Sequence, residues 1–549
     1  MKTRRSCYQI HFAWPKMRRA TSDQGPKTRD QMDGRRNAFG DPRGKAVSQS
    51  VDRCDAGRLA PKAQKVGRKW LAAILSVCAA SLAFGAAARP NILFIMTDQH
   101  FAEALSCRMG PQYLKTPALD SIAATGTFFS RAYVANPICM PSRNSLFTGR
   151  YPHETGVTAN IQRRLDPAEF INMGSYLRRA GYETAYAGKW HLCYDEKDSA
   201  SHGFETVKAK MLDADTATNV IEFLRQKHER PFLVVASFLN PHNICEYARG
   251  EPLNNGAVGT PPPLAQLPPA PANLPPPKNE PDTMTMMRKS YHATDTFPVG
   301  SFTPEKWREL RWAYYRMIEK VDAEIGRVLA ALRERGLEEN TLIVFTADHG
   351  ECAGAHGFNQ KTVFYEEAAR VPLIVSLKGT TKPGVSAKLV NTGIDVLPTM
   401  LDFAGIEKPA KLPGVSLRPL ALGQASAPWR TYVVVGNNMV QGGPVGLLRP
   451  ATEGRMVRTE RYKYAVYMFG EHRESLVDLQ KDPGETVDLA GDPAYRSVLL
   501  EHRDLLRAFA KERNDPLVAE LLADDIKARP FTSDGVQIPR GSGKKKKKV

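Results

Sequence analysis

The sequence predicts an α/β fold in which a mostly parallel central sheet is flanked by helices and followed by a smaller antiparallel-sheet subdomain. Three observations predict it. From Arg89 onward, short apolar runs alternate with helical patterns, as βαβ units require. The runs are continuously apolar, the mark of strands buried on both faces. Near Ala427 the pattern changes to segments of antiparallel type.

Asn91–Met96, Ala185–Ala187, Phe232–Phe238 and Thr341–Phe345 read as buried strands. Between them, Thr116 and Pro117 open a helix that Gly126 closes, with Thr as N-cap and Pro in the first turn. Thr303 and Pro304 open a much longer helix. Its apolar residues, from Leu310 through Ile318 and Ile325 to Leu332, recur every three or four positions until Gly336 ends it. Residues 258–277 are Pro-rich. They are expected to form a stiff surface excursion inside the main domain, because the same strand and helix patterns resume beyond them. Tyr432–Val435 and Tyr462–Met468 follow as antiparallel strands, and a final helix covers 495–513. The expected organisation is an extended N-terminus with a signal peptide (1–88, removed), a catalytic domain (89–425), a C-terminal α+β subdomain (426–535) and a basic disordered tail (536–549). No internal repeat is present.

A chain of 549 residues can bury a large core and form two folded units. The net charge of +18 resembles a nucleic-acid signal, but its distribution argues against one. Residues 1–70 hold 18 Lys/Arg against 6 Asp/Glu, and Lys544–Lys548 adds five more positive charges. The body between them is close to neutral, which excludes a basic binding face. Gly67-Arg68-Lys69, the apolar stretch Trp70–Phe84 and Ala86-Ala87-Ala88 form the three regions of a secretory signal peptide. Translation starting near Val66 would give that peptide its usual length. Its apolar stretch is too short to span a bilayer, so the mature protein is expected in the periplasm or outside the cell, without stable membrane insertion. Of eight cysteines, Cys107, Cys139, Cys193, Cys245 and Cys352 remain after cleavage. No CxxC pair suggests zinc, and with Cys139 set aside four are left to pair in an oxidising compartment.

Each predicted strand runs directly into a polar cluster. The four clusters are Thr97-Asp98-Gln99-His100, Gly188-Lys189-Trp190-His191, Asn240-Pro241-His242 and Ala347-Asp348-His349-Gly350-Glu351. In an open parallel sheet, ligands sit at the carboxyl ends of strands, so four separate segments deliver polar groups to one crevice. A fifth segment is Cys139-Met140-Pro141-Ser142-Arg143-Asn144-Ser145-Leu146-Phe147-Thr148-Gly149-Arg150. Pro141 suits the first turn of a helix and Gly149 its end, which puts Cys139 at a helix N-terminus where the backbone dipole favours negative charge.

That segment resembles the signature of the type I, formylglycine-dependent sulfatases, of the alkaline-phosphatase-like superfamily. The resemblance extends over residues 90–500. Arg89-Pro90-Asn91-Ile92-Leu93, Val371-Pro372-Leu373-Ile374, Asp395-Val396-Leu397-Pro398-Thr399 and Asp478-Leu479 with Asp482-Pro483 also match. It implies the alkaline-phosphatase-like fold and a Cys139 oxidised to formylglycine by a formylglycine-generating enzyme. The hydrated aldehyde offers one hydroxyl to attack sulfur and a second to expel sulfate. The resemblance further implies one divalent cation held by Asp98, Gln99, modified Cys139, Asp348 and His349. Oxygen-rich ligands favour Ca²⁺; His349 also suits Mn²⁺, and Mg²⁺ is a third choice.

By the same resemblance, Arg143 holds the diol oxygens, and Lys189 and Lys361 bind the sulfate oxygens. His191 deprotonates the second hydroxyl, His242 assists the departing alcohol, and Asn160 touches the diol or the substrate. Glu351, His100 and His153 read as supporting residues. Gln99 stands where many sulfatases carry a second Asp, which places the chain near choline sulfatases and phosphonate monoester hydrolases. The expected substrate is a small-molecule or glycan sulfate ester. The main alternative is phosphonate or phosphate ester hydrolysis on the same scaffold, and the Lys189-x-His191 pair argues against it. A non-catalytic binder of sulfated glycans would have lost Cys139 or a ligand, and all are present.

Overall fold

Eight strands build the central sheet: β1 (Asn91–Asp98), β2 (Thr127–Tyr133), β3 (Glu183–Gly188), β4 (Thr206–Lys208), β5 (Phe232–Pro241), β6 (Thr341–Ala347), β7 (Leu373–Ser376) and β8 (Gly384–Asn391). A computed structural model describes residues 89–531, apart from 161–162, 295, 297, 425–427, 441, 447 and 449. The expected signal peptide and the lysine run lie outside the described residues.

The strand order is β4-β3-β5-β1-β6-β7-β2-β8. Every neighbouring pair is parallel except those of β7, which runs antiparallel to β6 and β2. β1 lies between β5 and β6, with Ile92 opposite both Leu233 and Leu342. Strands buried on both faces need apolar residues at every position, and β1 satisfies this through Met96. Ile92, Phe94 and Met96 face one layer, Leu93 and Ile95 the other, and all five are fully buried. Each such side chain is worth roughly 1.5–3 kcal/mol of burial.

Helices cover both faces. On one lie α1 (Pro117–Ala123), α3 (Asp213–Arg225) and α4 (Pro304–Glu334), which contribute Ile122, Val220, Leu224, Ile325 and Val328. On the other lie α2 (Cys139–Thr148) and α5 (Thr392–Phe403), which contribute Phe147, Leu397 and Met400. The long helix begins on Thr303, whose side chain accepts from Lys306 N, with Pro304 in its first turn, as the sequence predicts. Among the described residues no helix is long and apolar enough to cross a membrane.

A second sheet, ordered β12-β11-β10-β9, is antiparallel: β9 (Tyr432–Met439), β10 (Thr452–Thr459), β11 (Tyr462–Tyr467) and β12 (Glu474–Asp478). Leu499, Leu506 and Phe509 of α6 (Arg496–Arg513) pack with Val434, Val457 and Leu476 of this sheet. The Pro-rich stretch is half exposed and is pinned to α4 by Arg308, which donates to the carbonyls of Leu264, Leu267 and Pro268. Cys107, Cys193, Cys245 and Cys352, whose pairing the sequence leaves open, are free thiols.

Candidate active site

The polar residues that follow β1, β3, β5 and β6 meet the N-terminus of α2 at the carboxyl edge of the sheet. Asp98, Cys139, Asp348 and His349 each place one potential ligand atom within 4.8 Å of the others. All four are buried. The Cys139 Sγ lies 3.2 Å from His349 Nε2, 3.9 Å from Lys189 Nζ and 4.0 Å from Asp98 Oδ1. α2 presents this thiol from its first residue, and Gly149 ends the helix at φ +66 with its N–H on Ser145 O. The signature's Gly is thus the left-handed C-cap that a side chain would strain.

Arg143, one turn along α2, is fully buried and spans the two carboxylates. Its Nη2 reaches Asp98 Oδ2 at 2.8 Å and its Nε reaches Asp348 Oδ2 at 2.7 Å. Nη1 donates to Lys189 O and Ser237 Oγ, leaving one Nη2 N–H for a further acceptor. Lys189 Nζ sits 2.6 Å from Asp98 Oδ2. Gly188, which places Lys189, adopts φ +100; a Cβ there would lie 1.9 Å from Ser237 O.

These charges set the protonation states. Burial and the Cys139 sulfur work against ionisation of Asp98, but Lys189, His242 and Arg143 outweigh them and hold its carboxyl well below the usual range. Burial and the charge of Asp98 push Asp348 up to about 6. Burial raises the Cys139 thiol, yet Lys189, Lys361 and His349 draw it well below its ordinary value. Burial and the ammonium groups of Lys361 and Lys189 hold His242 down at about 4. Burial likewise lowers His191. Two crowded carboxylates, one imidazole and an activated sulfur suit a divalent cation, which would relieve the repulsion that keeps Asp348 high.

A cavity of about 650 Å³ opens over the cluster, and Cys139, Asn160, Lys189, His191, His242 and Lys361 all line it. Asn160 Oδ1 accepts the Met140 N–H at 2.9 Å, tying its loop to the first turn of α2. Lys361 Nζ reaches Gln99 Oε1 at 2.6 Å, while Gln99 N donates to Asp348 Oδ1 at 3.1 Å. Every site residue expected from sequence therefore falls in one crevice. The amide oxygen of Gln99 is engaged by Lys361, and a cation would have to share or displace that ammonium.

Sequence reasoning missed Ser237, although a serine inside an otherwise apolar buried strand is a signal. It also missed the cavity wall formed by Glu196 and Met211, and by Glu246 and Arg249 of the short helix Ile244–Ala248 and its C-cap, segments too short to carry a periodic pattern. His100 and His153 are supporting, as expected: their Nε2 atoms pair with the carbonyls of Ala104 and Arg513.

The family model described as Sulfatase matches residues 90–406, and that for the C-terminal part of N-sulphoglucosamine sulphohydrolase matches residues 354–512. Delta 4,5-hexuronate-2-O-sulfatase of Bacteroides thetaiotaomicron is 32% identical over 479 residues, covering 83% of this chain and 96% of its own. Arylsulfatase K of Homo sapiens is 27% identical, covering 73% of this chain and 79% of its own. A solved 2-O GAG sulfatase aligns with TM-score 0.69 at 29% identity, over 78% of this chain and 93% of its own. A phosphonate monoester hydrolase from Silicibacter pomeroyi, 24% identical with TM-score 0.63 over 78% of this chain and 97% of its own, shares the fold. These neighbours identify the alkaline-phosphatase-like architecture. With the Sulfatase model matching more than half its length, the chain belongs to the sulfatase family and is a hydrolase of sulfuric esters.

Proposed function

We propose that the protein is exported and hydrolyses a sulfate ester of a glycan through a formylglycine made from Cys139 and a divalent cation, Ca²⁺ first, at Asp98, Gln99, Asp348 and His349. The observation that carries this reading is the approach of Cys139 Sγ to His349, Asp98 and Lys189 inside one lined cavity. When present, the hydrated aldehyde and the cation supply an acidified hydroxyl as nucleophile.

The chain's own residues do the rest. Arg143 offers its remaining N–H to the position-139 hydroxyls while bridging the two carboxylates. Lys189 and Lys361 bind the sulfate oxygens and stabilise charge as the ester bond breaks. His242, which lines the cavity and stays neutral near pH 7, assists the departing alcohol through a ring N–H hydrogen bond, and His191 takes a proton from the second hydroxyl when sulfate leaves. The net reaction consumes one water and yields alcohol and sulfate. A 650 Å³ space walled by Glu196, Glu246 and Arg249 offers charged partners to a sugar-sized alcohol, in keeping with the glycan sulfates named for its relatives. Rates measured side by side on an aryl sulfate, a phosphate diester and a phosphonate monoester test the assignment. Sulfate should be cleaved fastest; a higher kcat/KM on the phosphonate would favour the alternative that Gln99 and the shared fold suggest.

A further inference from the structure

We propose that Glu351 is a positioning residue that, with Lys361, fixes which end of the Gln99 amide faces the cation site; the inference rests on the reading of that site given above. Gln99 follows β1 at φ +68, a conformation in which L side chains are uncommon. Its backbone is fixed from both sides. Its N–H donates to Asp348 Oδ1 at 3.1 Å, and its carbonyl accepts the Tyr314 hydroxyl at 2.8 Å. With the main chain held, the side chain's remaining choice is whether the amide oxygen or the amide nitrogen points toward Lys361.

The neighbours leave one answer. Lys361 is a donor only, and its Nζ lies 2.6 Å from Gln99 Oε1. On the opposite side, the buried Glu351 carboxylate accepts the Gln99 Nε2 through Oε2. Its other oxygen is held by the N–H groups of Ala353 at 2.9 Å and Gln360 at 2.7 Å. An ammonium can only donate, so Lys361 alone already requires the amide oxygen on its side. The amide nitrogen must face Glu351, and Oε1 must face the ammonium and the cluster beyond it.

Glu351 also supplies charge. A hydrogen bond to an anionic acceptor polarises the amide and moves electron density onto Oε1. Gln99 and Glu351 together therefore act as a neutral ligand with a carboxylate behind it. This assigns a task to a residue that sequence alone reads as supporting.

The bland alternative is that Glu351 only caps the two N–H groups of the 353–360 turn. Glu351→Gln separates the two. Its new amide oxygen can still accept from Ala353 and Gln360, but its NH₂ then confronts the Gln99 nitrogen and opposes the orientation that Lys361 requires. The test titrates Ca²⁺ into chelator-stripped, mature full chain by calorimetry, with no activity readout. E351Q should bind Ca²⁺ about 10–100-fold more weakly than wild type, the usual effect of removing a partner of a metal ligand. In a Gln99→Ala background the same substitution should change affinity by less than about threefold, because no amide remains to orient. Equal affinity of E351Q and wild type overturns the inference, as does an undiminished effect in the Q99A background. A wild-type chain that takes up no Ca²⁺ would overturn the cation site itself, and the inference with it.

Discussion

Replacing Arg143 with Met keeps the length of the side chain and removes the guanidinium that hydrogen-bonds both carboxylates of the cluster, leaving His349 Nε2 at 3.8 Å from Asp98 and 3.5 Å from Asp348. The guanidinium and both carboxylates are fully buried, and the two contacts are 2.8 and 2.7 Å. Removing one member of a buried ion pair leaves an uncompensated charge and costs about 3–5 kcal/mol. Asp98 keeps Lys189 at 2.6 Å, and Asp348 keeps the Gln99 N–H at 3.1 Å. The loss should therefore lie near the lower end, about 3 kcal/mol. Asp348, already pushed up to about 6, should rise further in the variant. An acid whose folded pKa is raised is penalised above that value, so acidification relieves the penalty. Urea unfolding in the presence of chelator should show the full deficit at pH 7 and a smaller one at pH 5. A deficit below about 1 kcal/mol at pH 7, or one indifferent to pH, refutes the claim that Arg143 reconciles the two acids.

Three further outcomes follow from the same geometry. Gly188→Ala puts a Cβ 1.9 Å from Ser237 O at a backbone of φ +100, so Lys189 must move. Thermal unfolding should show a loss of at least about 2 kcal/mol, with kcat/KM falling alongside. His191→Ala should reduce kcat about 10²–10⁴-fold on a sulfate ester while leaving the unfolding midpoint in place, because its role is proton transfer. The third concerns acid stability. Burial first, then the charges of Lys463 and Arg288, hold His356 down at about 3. The unfolded chain protonates this imidazole near its ordinary value and the folded chain does not. Stability from this group is thus complete above about pH 6.5 and drains as pH falls toward 3. About 2–3 kcal/mol should be gone by pH ~4.5. His356→Gln removes that component, so the stability gap between wild type and variant should narrow by that amount between pH 7.5 and 4.5.

The strands that carry the site were readable because each is a largely apolar run ending abruptly in polar residues. The structure extends them at their carboxyl ends, for example to Asn91–Asp98 and Phe232–Pro241, because the first candidate site residues still follow the ladder. Other elements left no such mark. β8 is an edge strand whose outer residues, such as Ser386 and Lys388, are polar. β7 is only four residues long. β10 buries Arg455 and Arg458, whose charges read as surface until Arg455 is seen to meet Asp515 at 2.6 Å. Pro398 inside α5 argues against a helix that packing nevertheless sustains. At the site, the residue types and their strand-end positions were visible in the sequence. The orientation of the Gln99 amide and the composition of the cavity wall depend on rotamers and loops, which no spacing encodes.

The central claim is that position 139 carries the reaction in oxidised form. Peptide mass spectrometry across 132–143 of active enzyme, set against turnover per chain, tests it most directly. Activity should rise in proportion to the fraction of chains in which the Cys139 thiol has become an aldehyde, and Cys139→Ala should remain folded and inactive. Full sulfatase activity in a preparation whose Cys139 is entirely unmodified would contradict the account.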